Sequence, residues 1–386
     1  MAGGAALIPE KKGYIRTMIR SRRSLVMSLT AIALAACGGG GSDGGSGTIG
    51  TPGPTPTPSP STVPAPTPSP SPTASPSGFT LTGDLAPAAD PAIIAEGGTF
   101  YVFTTGAVVD REGLLPMRTS TDLQAFTYRG AVYGQVPAYA AAAVPGTGGI
   151  WAPDIVKRGG EFRLYYSVST FGSNRSLIGM TTNTTLNAAA PGAGWVDKGA
   201  VIQSTPSDNY NAIDPAVFTD ADGREWMAFG SFFSGIRMVQ LDPTTGLRLA
   251  SNSTVYALAS RAAPNAVEAP YVIRRGEFYY LFVSFDFCCR GTDSTYNTVV
   301  GRSTSPTGPY VDRDGRQMLQ GGGTTVLSSG QGTDSRFVGR GHVSVIRNGD
   351  ADFLVHHAYD RQRNGAPTLQ VTRMTWDAAG WPLAQP

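Results

Sequence analysis

The sequence predicts an all-β domain built by radial repetition, a five-bladed β-propeller. Three observations predict it. A pair of short strands recurs five times, each pair is joined by a polar turn containing Gly or Asp, and no amphipathic helix of convincing length separates one pair from the next. A β-sandwich also uses short strands, but near-regular hairpins along the whole domain suit a ring of blades better.

The first strand of each pair is short and apolar: Ala92-Ile93-Ile94, Asp154-Ile155-Val156, Ala216-Val217-Phe218, Tyr271-Val272-Ile273 and Ser344-Val345-Ile346. The second is aromatic: Phe100–Phe103, Phe162–Tyr166, Trp226–Phe229, Tyr279–Phe282 and Phe353–His357. β-branched and aromatic side chains fit a pleated, half-buried surface, and a short turn between two such runs makes a hairpin. With Ile94, Val156, Phe218, Ile273 and Ile346 as markers, the steps are 62, 62, 55 and 73 residues.

The propeller is expected over residues 79–386 of the 386-residue chain. Ahead of it, residues 1–37 read as an export signal, with the start possible at Met18. Arg20, Arg22 and Arg23 form a basic region, and the apolar run from Leu25 to Ala36 is ~12 residues, short of the ~20 that span a bilayer. Leu34-Ala35-Ala36-Cys37 resembles a bacterial lipobox, in which the cysteine is acylated, so a lipid anchor at Cys37 and a place in the cell envelope are expected. Ser21-Arg22-Arg23-Ser24-Leu25 also resembles a twin-arginine signal, leaving the export route open. Residues 38–78 are Gly/Ser-rich and then Pro/Thr/Ser-rich, a linker that buries no core and holds a folded domain away from a membrane.

The formal charge of +2, with charged residues only 15% of the chain, offers no clustered basic face for nucleic acid. A neutral polysaccharide fits this balance, and the domain is expected to act as a monomer. Cys37 belongs to the lipobox, which leaves Cys288 and Cys289 adjacent. They either form a vicinal disulfide after export or remain thiols; two cysteines without further ligands are not a zinc site.

The repeat also places the chemistry. The first strand of a propeller blade lines the central channel, so equivalent positions converge on the axis. Four residues before the markers stand Asp90, Ala152, Asp214, Ala269 and His342, with Glu268 one residue before Ala269. Asp-Pro pairs such as Asp90-Pro91 and Asp214-Pro215 are common turn starters. Their equivalence, with Glu268 alongside, points instead to three carboxylates at one axis. Hydrolysis of a glycosidic bond with inversion needs two: a protonated one that donates to the leaving oxygen, and an ionised one that activates water on the opposite face. A third carboxylate nearby raises the pKa of the acid by repulsion.

These residues resemble glycoside hydrolase family 43, and its arabinan endo-1,5-α-L-arabinanases in particular. The matching runs cover most of the domain and include ADPAII, IWAPDIV, SVSTFGSN, NAIDPAVF, VEAPYVI, VSFDFCCRG and GRGHVSVI. The resemblance implies a propeller enzyme that cleaves arabinan or arabino-oligosaccharides with inversion. It implies Asp90 as general base, Asp214 as the group that tunes and orients the acid, and Glu268 as general acid. It implies that His342 lies beside a calcium ion in the channel. It implies substrate-stacking roles for Trp151 and Phe171, and it suggests hydrogen bonds to substrate from Asn211 and Ser231. Two positions depart from the pattern: Ala89 replaces the usual histidine before the base, and His356 stands where an aromatic is usual. The rival readings are an exo-acting arabinofuranosidase or β-xylosidase of the same family, and a non-catalytic arabinan-binding surface protein.

Overall fold

The computed structural model describes residues 80–110, 112–331 and 335–385. The export signal, Cys37 and the whole of the linker lie outside the described residues. Five sheets follow one another along the chain, each built on four antiparallel strands in sequence order; the short Thr82–Gly83 adds a parallel fifth strand to the first sheet and Gly106–Ala107 an antiparallel fifth to the second. Blade I comprises Ala92–Glu96, Thr99–Phe103, Leu114–Ser120 and Ala125–Tyr133. Blade II comprises Gly149–Arg158, Glu161–Val168, Ser176–Asn183 and Val196–Ser204. Blade III comprises Ala216–Thr219, Glu225–Phe229, Ile236–Leu241 and Tyr256–Ala259. Blade IV comprises Val267–Arg275, Phe278–Phe285, Asn297–Ser303 and Thr324–Leu327, and blade V comprises Phe337–Asn348, Ala351–Asp360, Ala366–Trp376 and Pro382–Gln385. The five marker residues all lie in first strands, and each pairs with the aromatic second strand, as in Ile94 with Tyr101 and Ile346 with Phe353.

The apolar core lies between blades. Side chains alternate across each strand, so one second strand serves two interfaces. In blade IV, Tyr279, Leu281, Val283 and Phe285 pack with Phe218, Trp226 and Met238 of blade III. Tyr280 and Phe282, on the other face, pack with Val343, Leu354 and Met374 of blade V. Corresponding clusters join blades I with II and II with III.

Blades V and I close the ring. Leu85, Ala88, Ile93 and Val102 pack against Val355, Leu369 and Val371. Ala88 N–H donates to Pro367 O at 2.8 Å, and Leu369 N–H donates to Leu85 O at 2.8 Å. The fully buried Arg118 braces this approach: Nε donates to Asp84 O at 2.7 Å, and Nη2 donates to Pro87 O at 2.6 Å while pairing with Glu112. Burying a guanidinium is tolerated because several donors are matched at once.

Candidate active site

Asp90, Ala152, Asp214, Ala269 and His342 share one backbone state, with φ of 54, 43, 59, 53 and 53°. L-residues enter this left-handed region at a cost of about 1–2 kcal/mol each, and such residues cluster where geometry serves function. In blades II, IV and V the kink coincides with a register shift in the first strand, between Trp151 and Asp154, Glu268 and Tyr271, and Gly341 and Ser344. A bulge of this kind re-aims side chains, and in blades II and IV it also accommodates the proline that follows the kink.

Each kink exposes a backbone N–H, and the preceding blade supplies its acceptor. Ala152 N–H donates to Thr105 Oγ1 at 2.8 Å, Asp214 N–H to Ser167 Oγ at 2.9 Å, and His342 N–H to Ser284 Oγ at 2.9 Å. Asp90 N–H donates to His357 Nδ1 at 3.1 Å. In blade III the equivalent position is Gly230, and Ala269 N–H goes instead to Asp214 Oδ2 at 3.1 Å. Gly230 has φ of 124°, and a Cβ there would lie 2.6 Å from Gly235 O.

Asp90, Asp214, Glu268 and His342 form one electrostatic cluster: Asp214 and His342 each feel the charges of the other three, and Glu268 feels those of Asp90 and His342. Asp90 Oδ1 lies 3.0 Å from His342 Nδ1, and Oδ2 accepts from Thr105 Oγ1 at 2.5 Å. Burial works against its charge, but the His342 charge and hydrogen bond prevail and hold the Asp90 carboxyl well below the usual carboxylate range. The same pairing, against the burial of the imidazole, raises His342 to about 9.

Glu268 and Asp214 are displaced the other way. Burial is the main cause for both, with a smaller contribution from neighbouring carboxylates. Repulsion by neighbouring carboxylates, the effect expected from the sequence, contributes less than desolvation. Glu268 Oε2 accepts from Ser231 Oγ at 2.7 Å, and Tyr296 also hydrogen-bonds its carboxylate. The axis therefore holds Asp90 biased toward its ionised form together with Asp214 and Glu268 biased toward their protonated forms.

Trp151 sits half-buried in the first strand of blade II, one residue before its kink. Phe171 follows the second strand of that blade and is 79% exposed. Both therefore stand at the end of blade II where the kink lies. Asn211 and Ser231 are buried and already engaged with protein: Asn211 Oδ1 accepts from Ser176 Oγ at 2.6 Å, and Ser231 serves Glu268. His356 is fully buried, with Nε2 3.1 Å from Thr372 Oγ1. Cys288 and Cys289 are joined as a vicinal disulfide.

Three participants escaped the sequence reading. His357 contacts Asp90, Tyr296 contacts Glu268, and Asp154 is a further buried carboxyl, raised by burial to about 6, that accepts Val217 N–H at 2.7 Å. Asp154 stands two residues after the kink of blade II. His357 occupies the second-strand position that holds Thr105, Ser167, Gly230 and Ser284 in the other blades.

The model of the family described as "Glycosyl hydrolases family 43" matches residues 86–382. The extracellular endo-α-(1->5)-L-arabinanase 1 of Bacillus subtilis is 43% identical over 297 residues, spanning 76% of this chain and 86% of the relative. The extracellular exo-α-(1->5)-L-arabinofuranosidase ArbA of Cellvibrio japonicus is 41% identical over 305 residues, spanning 76% of this chain and 85% of the relative. Among solved structures, the α-L-arabinanase of Cellvibrio cellulosa complexed with arabinohexaose superposes with a TM-score of 0.72 at 38% identity, covering 78% of this chain and 96% of that one.

Proposed function

The chain belongs to glycosyl hydrolase family 43, and from that premise we propose that it is an endo-acting hydrolase of α-1,5-linked L-arabinan that inverts the anomeric carbon. The observation that carries this reading is the opposed displacement of two carboxyl groups at one axis: His342 holds Asp90 well below the usual carboxylate range, and burial pushes Glu268 above it. In the reaction, Asp90 takes a proton from a water molecule as its oxygen bonds to the anomeric carbon. The glycosidic C–O bond breaks with its electron pair on oxygen, and Glu268 delivers its proton there. Asp90 ends protonated and Glu268 ionised, and exchange with solvent restores both. Asp214 holds the backbone of Ala269, next to the acid, and its buried carboxyl discourages ionisation of Glu268.

Arabinan carries no charge, so its recognition falls to hydroxyl hydrogen bonds and to stacking of sugar faces on rings. Trp151 and the exposed ring of Phe171 suit that second task. Both relatives are extracellular proteins, and the export signal agrees with secretion. In this proposal the mature chain is a monomer anchored through Cys37, with the linker giving the propeller reach from the membrane.

Calcium takes six to eight oxygen ligands. Among the described residues no three His, Cys, Asp or Glu side chains gather to hold a metal. In this proposal any calcium bound here would keep a shell mostly of water, and His342, whose Nδ1 faces Asp90, would be the side chain beside it. When bound, the ion would supply positive charge beside the carboxylates in place of the His342 proton. No step of the hydrolysis runs through it.

Incubation with linear and branched arabinan, followed by product sizing, tests the reading. Mixed oligosaccharides appearing first are expected. Release of small products alone from the start would assign the exo action of the C. japonicus relative, and binding without cleavage would leave only a surface adhesion module.

A further inference from the structure

We propose that His357 is a positioning residue for the base: its Nε2–H tautomer, facing Tyr359, holds Asp90 by the backbone and adds no further donor to a carboxylate that His342 and Thr105 already engage. His357 Nδ1 accepts the Asp90 N–H at 3.1 Å and therefore carries a lone pair, not a proton. The same Nδ1 lies 3.5 Å from Asp90 Oδ1, too far and of the wrong polarity for a hydrogen bond.

The other ring nitrogen points to Tyr359, with Nε2 3.3 Å from the hydroxyl. That hydroxyl already accepts from Cys289 N–H at 2.8 Å and directs its own proton toward Cys289 Sγ at 3.9 Å. With Nδ1 accepting, Nε2 carries the proton of the neutral ring, and the tyrosine oxygen keeps a second lone pair to receive it. Both ends of the imidazole are therefore satisfied by the same tautomer. The ring is also clamped mechanically, stacked on Tyr296 at 5.8 Å between centroids and meeting Tyr359 edge-on at 5.3 Å.

Comparison around the ring says why this blade uses histidine. Thr105, Ser167 and Ser284 do the same work for their neighbouring blades with a hydroxyl. A hydroxyl carries its acceptor and its proton on one atom, and Thr105 spends that proton on Asp90 Oδ2. A second hydroxyl beside Asp90 would be able to donate to Oδ1 too, weakening the carboxylate as a base. An imidazole puts its proton on the far side of the ring, toward Tyr359. Residue type thus separates holding the base from hydrogen-bonding its reactive end.

The inference rests on the hydrolase reading, but one of its two tests does not need activity. The chain has three histidines, so an untagged protein labelled with nitrogen-15 in histidine gives a small spectrum, assigned with H356F and H342Q. A neutral Nε2–H tautomer for His357 is expected; a proton on Nδ1 overturns the inference. In the kinetic test, H357L loses the acceptor, whereas H357N keeps an oxygen near the Nδ1 position. On arabino-oligosaccharides H357L is expected to lose about 10²-fold in kcat, with KM changed less than about twofold, as for an ångström-scale misplacement of a reacting group. H357N is expected to recover about tenfold of that loss, although both variants lose thermal stability alike. Equal kcat for the two variants, or kcat losses that follow melting temperature, overturns the inference. An inactive parent enzyme would instead count against the hydrolase reading, with the tautomer measurement still deciding this one.

Discussion

His342 Nδ1 stands 3.0 Å from Asp90 Oδ1. This contact, between the first strand of the last blade and the segment entering the first, keeps a carboxylate ionised in a site that otherwise favours neutral carboxyl groups. It sets the acid side of the pH profile, because hydrolysis fails when Asp90 becomes protonated. In H342Q the opposing charge is gone and Asp90 rises toward the normal range or beyond it. The acidic limb of kcat/KM is expected to move up by about 1 pH unit or more. A limb that stays in place would show that His342 does not govern the base.

The alkaline limb belongs to the acid. Glu268 must keep its proton, and activity falls as pH rises through its raised pKa. Ser231 donates to the ionised form and so holds that pKa down from where burial alone would put it. S231A removes this donor, so the alkaline limb is expected at higher pH than in the parent, with a lower maximal rate. A limb shifted to lower pH would reverse the assignment.

His356 gives a stability prediction. Burial lowers its pKa to about 3, so the folded protein keeps it neutral while the unfolded chain protonates near 6.5. The unfolded state binds more protons between these values. Stability is therefore lost as pH falls from about 6.5 toward 3, at about 1.4 kcal/mol per pH unit from this residue. H356F restores an aromatic and removes the titration. Denaturant melts at pH 6 and pH 4 should show a shallower acid loss for H356F than for the parent, and parallel losses would refute the assignment.

Metal removal separates the two roles given to His342. Calcium is expected to raise the melting temperature of the parent after treatment with a chelator and to leave H342Q unmoved. A calcium response that survives in H342Q would place the ion elsewhere.

Much of this site was legible in the first strands. The four-residue offset from the apolar markers picked out the five left-handed kinks, because a propeller repeats backbone geometry more faithfully than side-chain identity. The carboxylates at two kinks, with Glu268 beside a third, then stood out in a chain poor in charge. The same offset logic was not carried to the second strands, where it aligns His357 with Thr105, Ser167, Gly230 and Ser284. Their chemical types differ, so no residue pattern marks the position; only the shared task of accepting the next blade's N–H does. Tyr296 was hidden because it lies just before the third strand of blade IV, and its contact with Glu268 depends on tertiary packing. Ser231 and Asn211 entered as substrate contacts through the resemblance alone; both are buried, Ser231 donating to Glu268 and Asn211 accepting from Ser176.

The bond from Asp90 to His357 joins residues 267 positions apart in the chain. Its consequence reaches back to biosynthesis. A linear array of repeats can settle unit by unit as it emerges, but here the catalytic base gains its final backbone contact only when the last blade arrives. The entropy of bringing such distant segments together is spent near the end of folding. A chain cut short before blade V would retain most of its hairpins and all three carboxylates, yet hold its base on an untethered end. Competence is thus withheld until the last blade has docked against the first.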